Sequence, residues 1–189
     1  MARRMSDLVP SEQNAVAELR QRLSARGRAP TLVLAGPIEA RLDAVLKVIA
    51  DTLGGRHVDL ATPDALEALK KGPPLYGRDI EGRLSDTALR QFLLREADAP
   101  CSPVLAVHVP GVVWKIMTES EPEGPRRLFS GLREWASPCP LVLSYPLGAD
   151  LSSLTAEDLS SLLAHHLVEL RLTQAERRYL ATQWKGGRP

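Results

Sequence analysis

The sequence predicts an α/β fold: a five-stranded, mostly parallel sheet with helices on both faces. Two observations carry this expectation. The runs Thr31 to Ala35 and Val104 to Val109 are apolar with little alternation, the pattern of strands covered on both sides. Segments of helical period separate the strand-like runs, as crossovers between parallel strands require.

Taken in order, Val16, Leu19 and Leu23 recur at helical spacing over residues 11–25, with Ser11 as the expected cap. Thr31 to Ala35 is the first strand. Gly36-Pro37 leads from it into a helix from Ile38 to Leu53, whose Leu42, Val45, Leu46 and Ile49 share one face. A short strand, 56–60, ends at Asp59, and Thr62-Pro63-Asp64 opens a helix to about Lys71. Residues 72–83, rich in Gly and Pro, predict a loop. Ser85 starts a helix through Leu89, Phe92 and Leu93, and Val104 to Val109 is the third strand. Val112 to Met117 suggests no definite element, and 119–125 is acidic and broken by Pro and Gly. Helical spacing returns over 126–135. Leu141 to Tyr145 is the fourth strand, and Thr155 caps a helix through Leu163. The fifth strand is expected over 167–172. Thr173 and Glu176 then form a capping box for a final helix to about Trp184. The expected organisation is a flexible N-terminus over 1–10, one domain over 11–184 and a tail over 185–189.

Composition narrows the function classes. Apolar residues make up 44% and charged residues 25%, so the chain is suited to a packed core and unsuited to disorder. Lys plus Arg number 24 against 23 Asp plus Glu, so no global field steers it to nucleic acid or a membrane. No apolar window reaches the ~18 residues of a membrane span. Met1 to Ser6 carries Arg3 and Arg4 and lacks a following apolar stretch, so no signal peptide is expected and the expected location is cytoplasmic. Cys101 and Cys139 are the only cysteines, and neither has metal-ligand spacing. No metal and no cofactor are expected.

In parallel sheets, ligands bind beyond the C-terminal ends of the strands, which directs attention to Gly36-Pro37, Asp59, His108 and Ser144. A phosphate-binding loop needs Gly-x-x-x-x-Gly-Lys-Ser/Thr after its strand, because backbone N–H groups wrap the phosphates, the lysine meets their charge and the hydroxyl holds magnesium. The eight positions here read Gly36-Pro37-Ile38-Glu39-Ala40-Arg41-Leu42-Asp43. Arg41 replaces the second glycine, Leu42 the lysine and Asp43 the hydroxyl. Glu39 adds negative charge, and Leu42 suits an inward apolar face. Arg41 either supplies charge to the loop or lies on the surface. The third strand ends at His108 without the carboxylate that magnesium would need. His108 is either a catalytic base or a hydrogen-bonded structural residue. Ser144 is either a polar sensor of a terminal phosphate or a hydroxyl bonded to backbone.

With its strand ending Leu32-Val33-Leu34-Ala35-Gly36-Pro37, a second strand carrying Asp59, a buried strand at the Walker B place and Pro140 to Tyr145 at the sensor place, the chain resembles an AAA-type P-loop ATPase of the clamp-loader kind. That resemblance implies a P-loop-like topology, and its missing motif residues imply a pseudoenzyme. Pro140 to Pro146 also resembles a strand of small accessory proteins of BREX-type phage-exclusion systems, which implies a non-catalytic part of a defence complex. Protein partners are therefore expected. The alternative is a nucleotide-binding or hydrolytic protein with an unorthodox site of Arg41, Asp59, His108 and Ser144.

Two further groups have two readings each. Lys115, Arg126, Arg127 and Arg133 near Trp114, Phe129 and Trp135 form either a nucleic-acid surface or a helix with its aromatic side inward. His165-His166 reads as a metal pair or as a helix end, its two rings expected to point apart. Cys101 and Cys139 each precede a strand, far from the ligand edge.

Overall fold

The computed structural model describes residues 4–24, 30–64, 67, 84–98, 103–134, 137–148 and 153–186, with backbone alone at 133 and 184–186. Twelve elements position the site. They are α1 (Pro10–Leu23), β1 (Thr31–Pro37), α2 (Leu42–Leu53), β2 (Arg56–Asp59), α3 (Asp86–Ala97), β3 (Leu105–His108), α4 (Gly111–Ser120), α5 (Gly124–Gly131), β4 (Leu141–Leu147), α6 (Ala156–Leu163), β5 (Leu167–Glu169) and α7 (Gln174–Gly186).

The sheet has the order β2-β3-β4-β1-β5 and every pairing is parallel. β1 is central, with Leu34 opposite Ser144 of β4 on one side and opposite Val168 of β5 on the other. Because strand side chains alternate between faces, Leu32 and Leu34 enter the core under α1 and α2. Val33 and Ala35 enter the core on the opposite face, with Leu89 and Phe92 of α3, Trp114 of α4 and Phe129 of α5. Both faces are dry, which is why the strands read as apolar runs. Trp114, Phe129 and Tyr145 form a buried trio with ring centroids 4.8 to 5.4 Å apart.

Two glycines tie α2 to the sheet. Gly54 takes the left-handed conformation at φ 67° that ends α2. A Cβ on Gly55 would lie 2.4 Å from the Val104 carbonyl oxygen, so only glycine lets the chain pass there into β2.

Several expected boundaries move, each for a local reason. Helix α1 starts at Pro10 instead of Ser11: Val9 is the capping residue, and Glu12 accepts its N–H at 3.0 Å. Leu8 and Val9 are buried ahead of it. The expected helix from Ile38 begins only at Leu42, because Ala40 N–H bonds back to the Pro37 carbonyl in a turn. Residues 111–120, without a definite element in the sequence reading, are α4, entered from Pro110. Pro125, read as a breaker, sits in the first turn of α5, where its missing N–H costs nothing. The fifth strand covers three residues, not six, and ends at Glu169. The His165 and His166 rings do not point apart. They lie 4.3 Å apart in a tight turn, and His166 Nδ1 is 2.8 Å from the Thr31 carbonyl oxygen. The loop 72–83, most of the helix expected up to Lys71, Cys101 and Trp135 lie outside the described residues.

The capping box at Thr173 is present and reaches further than a local cap. Glu176 accepts from Thr173 N and Oγ1, both at 2.8 Å, and from Ser11 N at 2.8 Å and Oγ at 2.7 Å, which joins α7 to α1. Burial works to raise the Glu176 pKa, but these four donors outweigh it and hold the carboxyl at about 2. A group depressed from 4.5 in this way stabilises the fold in full above its unfolded value. That contribution is lost as pH falls from about 4.5 to about 2. Glu176→Gln is expected to lower unfolding free energy by about 2 kcal/mol at neutral pH. It should also flatten stability against pH across that acid window, as read by urea melts at a series of pH values.

Candidate functional site

The C-terminal ends of β1, β3 and β4 open on a cleft of about 460 Å³, bordered by residues 37–44, His108, Gly111, Pro146, Leu180 and Gln183. This is the edge where a parallel sheet presents loops to a ligand. The degenerate loop lies along it.

Gly36 and Pro37 close β1, and the glycine has a packing reason of its own. A Cβ on Gly36 would stand 3.1 Å from Leu42 Cδ2 and 3.2 Å from Leu170 Cβ, so the apolar side of α2 presses on it from within. Leu42, at the lysine position, is buried at 4% exposure in the same core as Val45 and Leu46, as its spacing implied. Asp43 lies in the first turn of α2, bordering the cleft.

Arg41 lines the cleft with its side chain partly exposed, and its charge is paired within the fold. Its guanidinium and its backbone are held by the fully buried carboxylate of Glu12. Glu12 Oε1 accepts Arg41 N at 3.0 Å and Nε at 3.2 Å, and Oε2 accepts Arg41 Nη2 at 2.6 Å and Val9 N at 3.0 Å. Arg41 Nη2 also donates to the Asp7 carbonyl oxygen at 2.9 Å. The hydrogen bonds that Arg41 donates to Glu12 raise the guanidinium pKa from its ordinary value. One internal carboxylate therefore caps α1 and holds the entry to α2. Sequence reasoning missed Glu12, although its spacing to Val16, Leu19 and Leu23 places it on the inward face of α1, where a charge needs a partner.

Of the four residues of the alternative site, His108 and Ser144 are brought together, with His108 Nδ1 3.0 Å from Ser144 Oγ. Asp59 stands opposite His108 in the β2–β3 register. Arg41 borders the same cleft, committed to Glu12. Ser144 Oγ also accepts Val109 N–H at 2.8 Å and lies 3.3 Å from the Val109 carbonyl oxygen. Ser144 is fully buried, so the backbone-bonded reading fits it. Burial lowers the His108 pKa, opposed by the carboxylates of Asp43 and Asp59. A residue not singled out beforehand joins this group: His57 Nε2 lies 3.0 Å from Asp43 Oδ1. Strand alternation, which puts His57 on the face of Asp59, was its one signal.

Of the basic set, Lys115, Arg126 and Arg127 lie against acids, and the Arg133 side chain and Trp135 lie outside the described residues. Arg126 meets Asp158 at 3.0 Å, Arg127 meets Glu121 at 2.6 Å and Asp86 at 3.4 Å, and Lys115 lies 4.0 Å from Glu119. Trp114 and Phe129 are in the core, so neither offers a stacking ring. No group of three or more His, Cys, Asp or Glu among the described residues is arranged to hold a metal ion. No helix among them is long and apolar enough to cross a membrane.

No protein-family model matches the chain, and no curated protein matches it in sequence.

Two outcomes are expected from this geometry. Arg41→Ala removes the cation from a fully buried carboxylate and should cost about 3 kcal/mol in chemical denaturation, more than Arg41→Lys, which keeps the charge. In an NMR titration, His108 should pick up its proton at lower pH than an ordinary histidine, since its shift is downward.

Proposed function

We propose that the chain is a non-catalytic scaffold or adaptor, related in architecture to clamp-loader-type P-loop ATPases, that binds protein partners in a bacterial phage-defence or DNA-associated complex. One observation carries the non-catalytic reading. The only cation of the degenerate loop, Arg41, is neutralised from behind by buried Glu12. Glu39 and Asp43 line the same cleft. A triphosphate needs several donors and a net positive site. This loop offers it a leucine where the lysine would stand, and two negative charges. The sheet order supports the ATPase-like architecture, because it sets the sensor-place strand β4 beside the loop-bearing β1. The defence setting rests on the resemblance of Pro140 to Pro146 alone.

The second reading, an unorthodox nucleotide-binding or hydrolytic site, is favoured by the His108–Ser144 contact beside Asp59. Against it, the Ser144 oxygen is buried and already bonded to Val109, so a substrate in the cleft meets His108 without a nucleophile.

Calorimetric titration of the full chain with ATP and magnesium distinguishes the two. No saturable heat is expected for the wild type or for Glu12→Gln, because freeing Arg41 leaves Leu42 in the lysine's place. Saturable, magnesium-dependent binding to the wild type would overturn the scaffold reading.

A further inference from the structure

The edge that carries the dead loop also exposes large apolar side chains. Ile38 is 53% exposed, Val112 53% and Ile116 41%. Ile38 and Gly111 border the same cleft, which brings Val112 beside it. Val112 and Ile116, four apart on α4, share one helix face. Leu180 and Pro146 continue the apolar surface into the cleft floor. Such residues, exposed together, mark a contact surface more often than scattered ones do.

Carboxylates border this surface. Glu39 and Asp43 border the cleft, and Asp59 sits opposite His108 on the neighbouring strand. The cations nearby have carboxylate partners, Arg41 in Glu12 and Lys115 in Glu119 at 4.0 Å, and His57 Nε2 lies 3.0 Å from Asp43 Oδ1. Arg171 and Arg177 face the loop from its other side, across a separate concavity, and Arg171 is paired with Glu169. An apolar strip with an acidic border is complementary to an apolar helix face flanked by lysine or arginine.

We propose that this edge, with Ile38, Val112 and Ile116 as its apolar contacts and Glu39, Asp43 and Asp59 as its charged border, docks a basic amphipathic helix of a protein partner. The inference rests on the scaffold reading and names the surface that reading needs.

The probe is a displayed library of random 16-residue peptides, selected on the full chain. Enriched peptides should carry net positive charge and apolar residues at spacings of three and four. Synthesised singly, they should bind at least tenfold more weakly to Val112→Glu, whose position is exposed and whose circular dichroism should be unchanged. Glu39→Lys should weaken them several-fold, and the preference over glutamate-substituted versions should shrink between ~0.1 and ~1 M salt, where the screening length falls from ~10 to ~3 Å. Enrichment of acidic or neutral peptides, no enrichment at all, or equal binding to Val112→Glu would overturn the proposal. So would self-association of the chain that Val112→Glu abolishes, since a second copy would then be the occupant. Failure here leaves a blank nucleotide titration untouched, whereas nucleotide binding would remove the scaffold reading whatever the peptides do.

Discussion

A carboxylate with no exposed surface cannot remain charged in an apolar core without donors, and Glu12 collects four of them from two parts of the chain. That requirement shapes the end of the molecule around it. It fixes where α1 starts, because the Val9 N–H is one donor. It fixes where α2 starts, because the Arg41 N–H is another. It also draws residues 7–9 against the fold, through the Asp7 carbonyl that Arg41 holds and the burial of Leu8 and Val9. Glu176 does the same work one residue earlier on α1, where Ser11 meets the cap of α7. The first turn of α1 is thus the point at which three helices on one face of the sheet are held in register. Two buried carboxylates set this register on top of the apolar core that the three helices share.

The opposite face is organised differently. There the sheet is covered by α3, α4, α5 and α6 around Trp114, Phe129 and Tyr145, and the polar requirements are small: the Trp114 ring N–H reaches the Ser144 carbonyl at 3.3 Å, and the Tyr145 hydroxyl accepts Leu154 N–H at 3.2 Å. The surface arginines of α5 add ion pairs to Asp86, Glu121 and Asp158, each exposed enough that it contributes little on its own. Both faces are therefore closed by apolar packing, and the face under α1, α2 and α7 adds directional bonds near the cleft. To the cleft itself α2 supplies Asp43 and β3 supplies His108.

What could be read from the sequence follows from the range of the forces involved. The strands at 31, 104 and 141 were legible because burial on both faces leaves an uninterrupted apolar run, a local signature. The caps at Ser85, Thr155 and Thr173 were legible for the same reason, since a cap spans three residues. Helix α4 was not, because Pro110-Gly111 has the composition of a break and works as an entry. The order β2-β3-β4-β1-β5 depends on which strands pair, and no single strand carries that. At the site, the losses at Arg41, Leu42 and Asp43 were visible as letters. The partner that explains Arg41 was not: a glutamate in the first turn of a helix is usually a solvated charge favourable to the dipole, and only its spacing to Val16 distinguishes Glu12. The contact of His57 with Asp43 joins two elements, and strand alternation gives only the face of His57, not its partner.

The departures of residues 41–43 from the phosphate-loop pattern are built into the packing and are not a surface detail. Glycine at position 41 would leave Glu12 with its backbone donors and no cation, in a site with no exposed surface. Lysine at position 42 would place an ammonium where Leu42 packs at 4% exposure beside Val45, Leu46 and the backbone of Gly36. A hydroxyl at position 43 would take the carboxylate away from His57. Each residue that a phosphate loop needs is excluded by a different neighbour, from α1, from the core and from β2 in turn. A loop held in this way by three separate contacts has been fitted to the fold around it. Its outer surface, Ile38 and Glu39, is the part left free to meet something else.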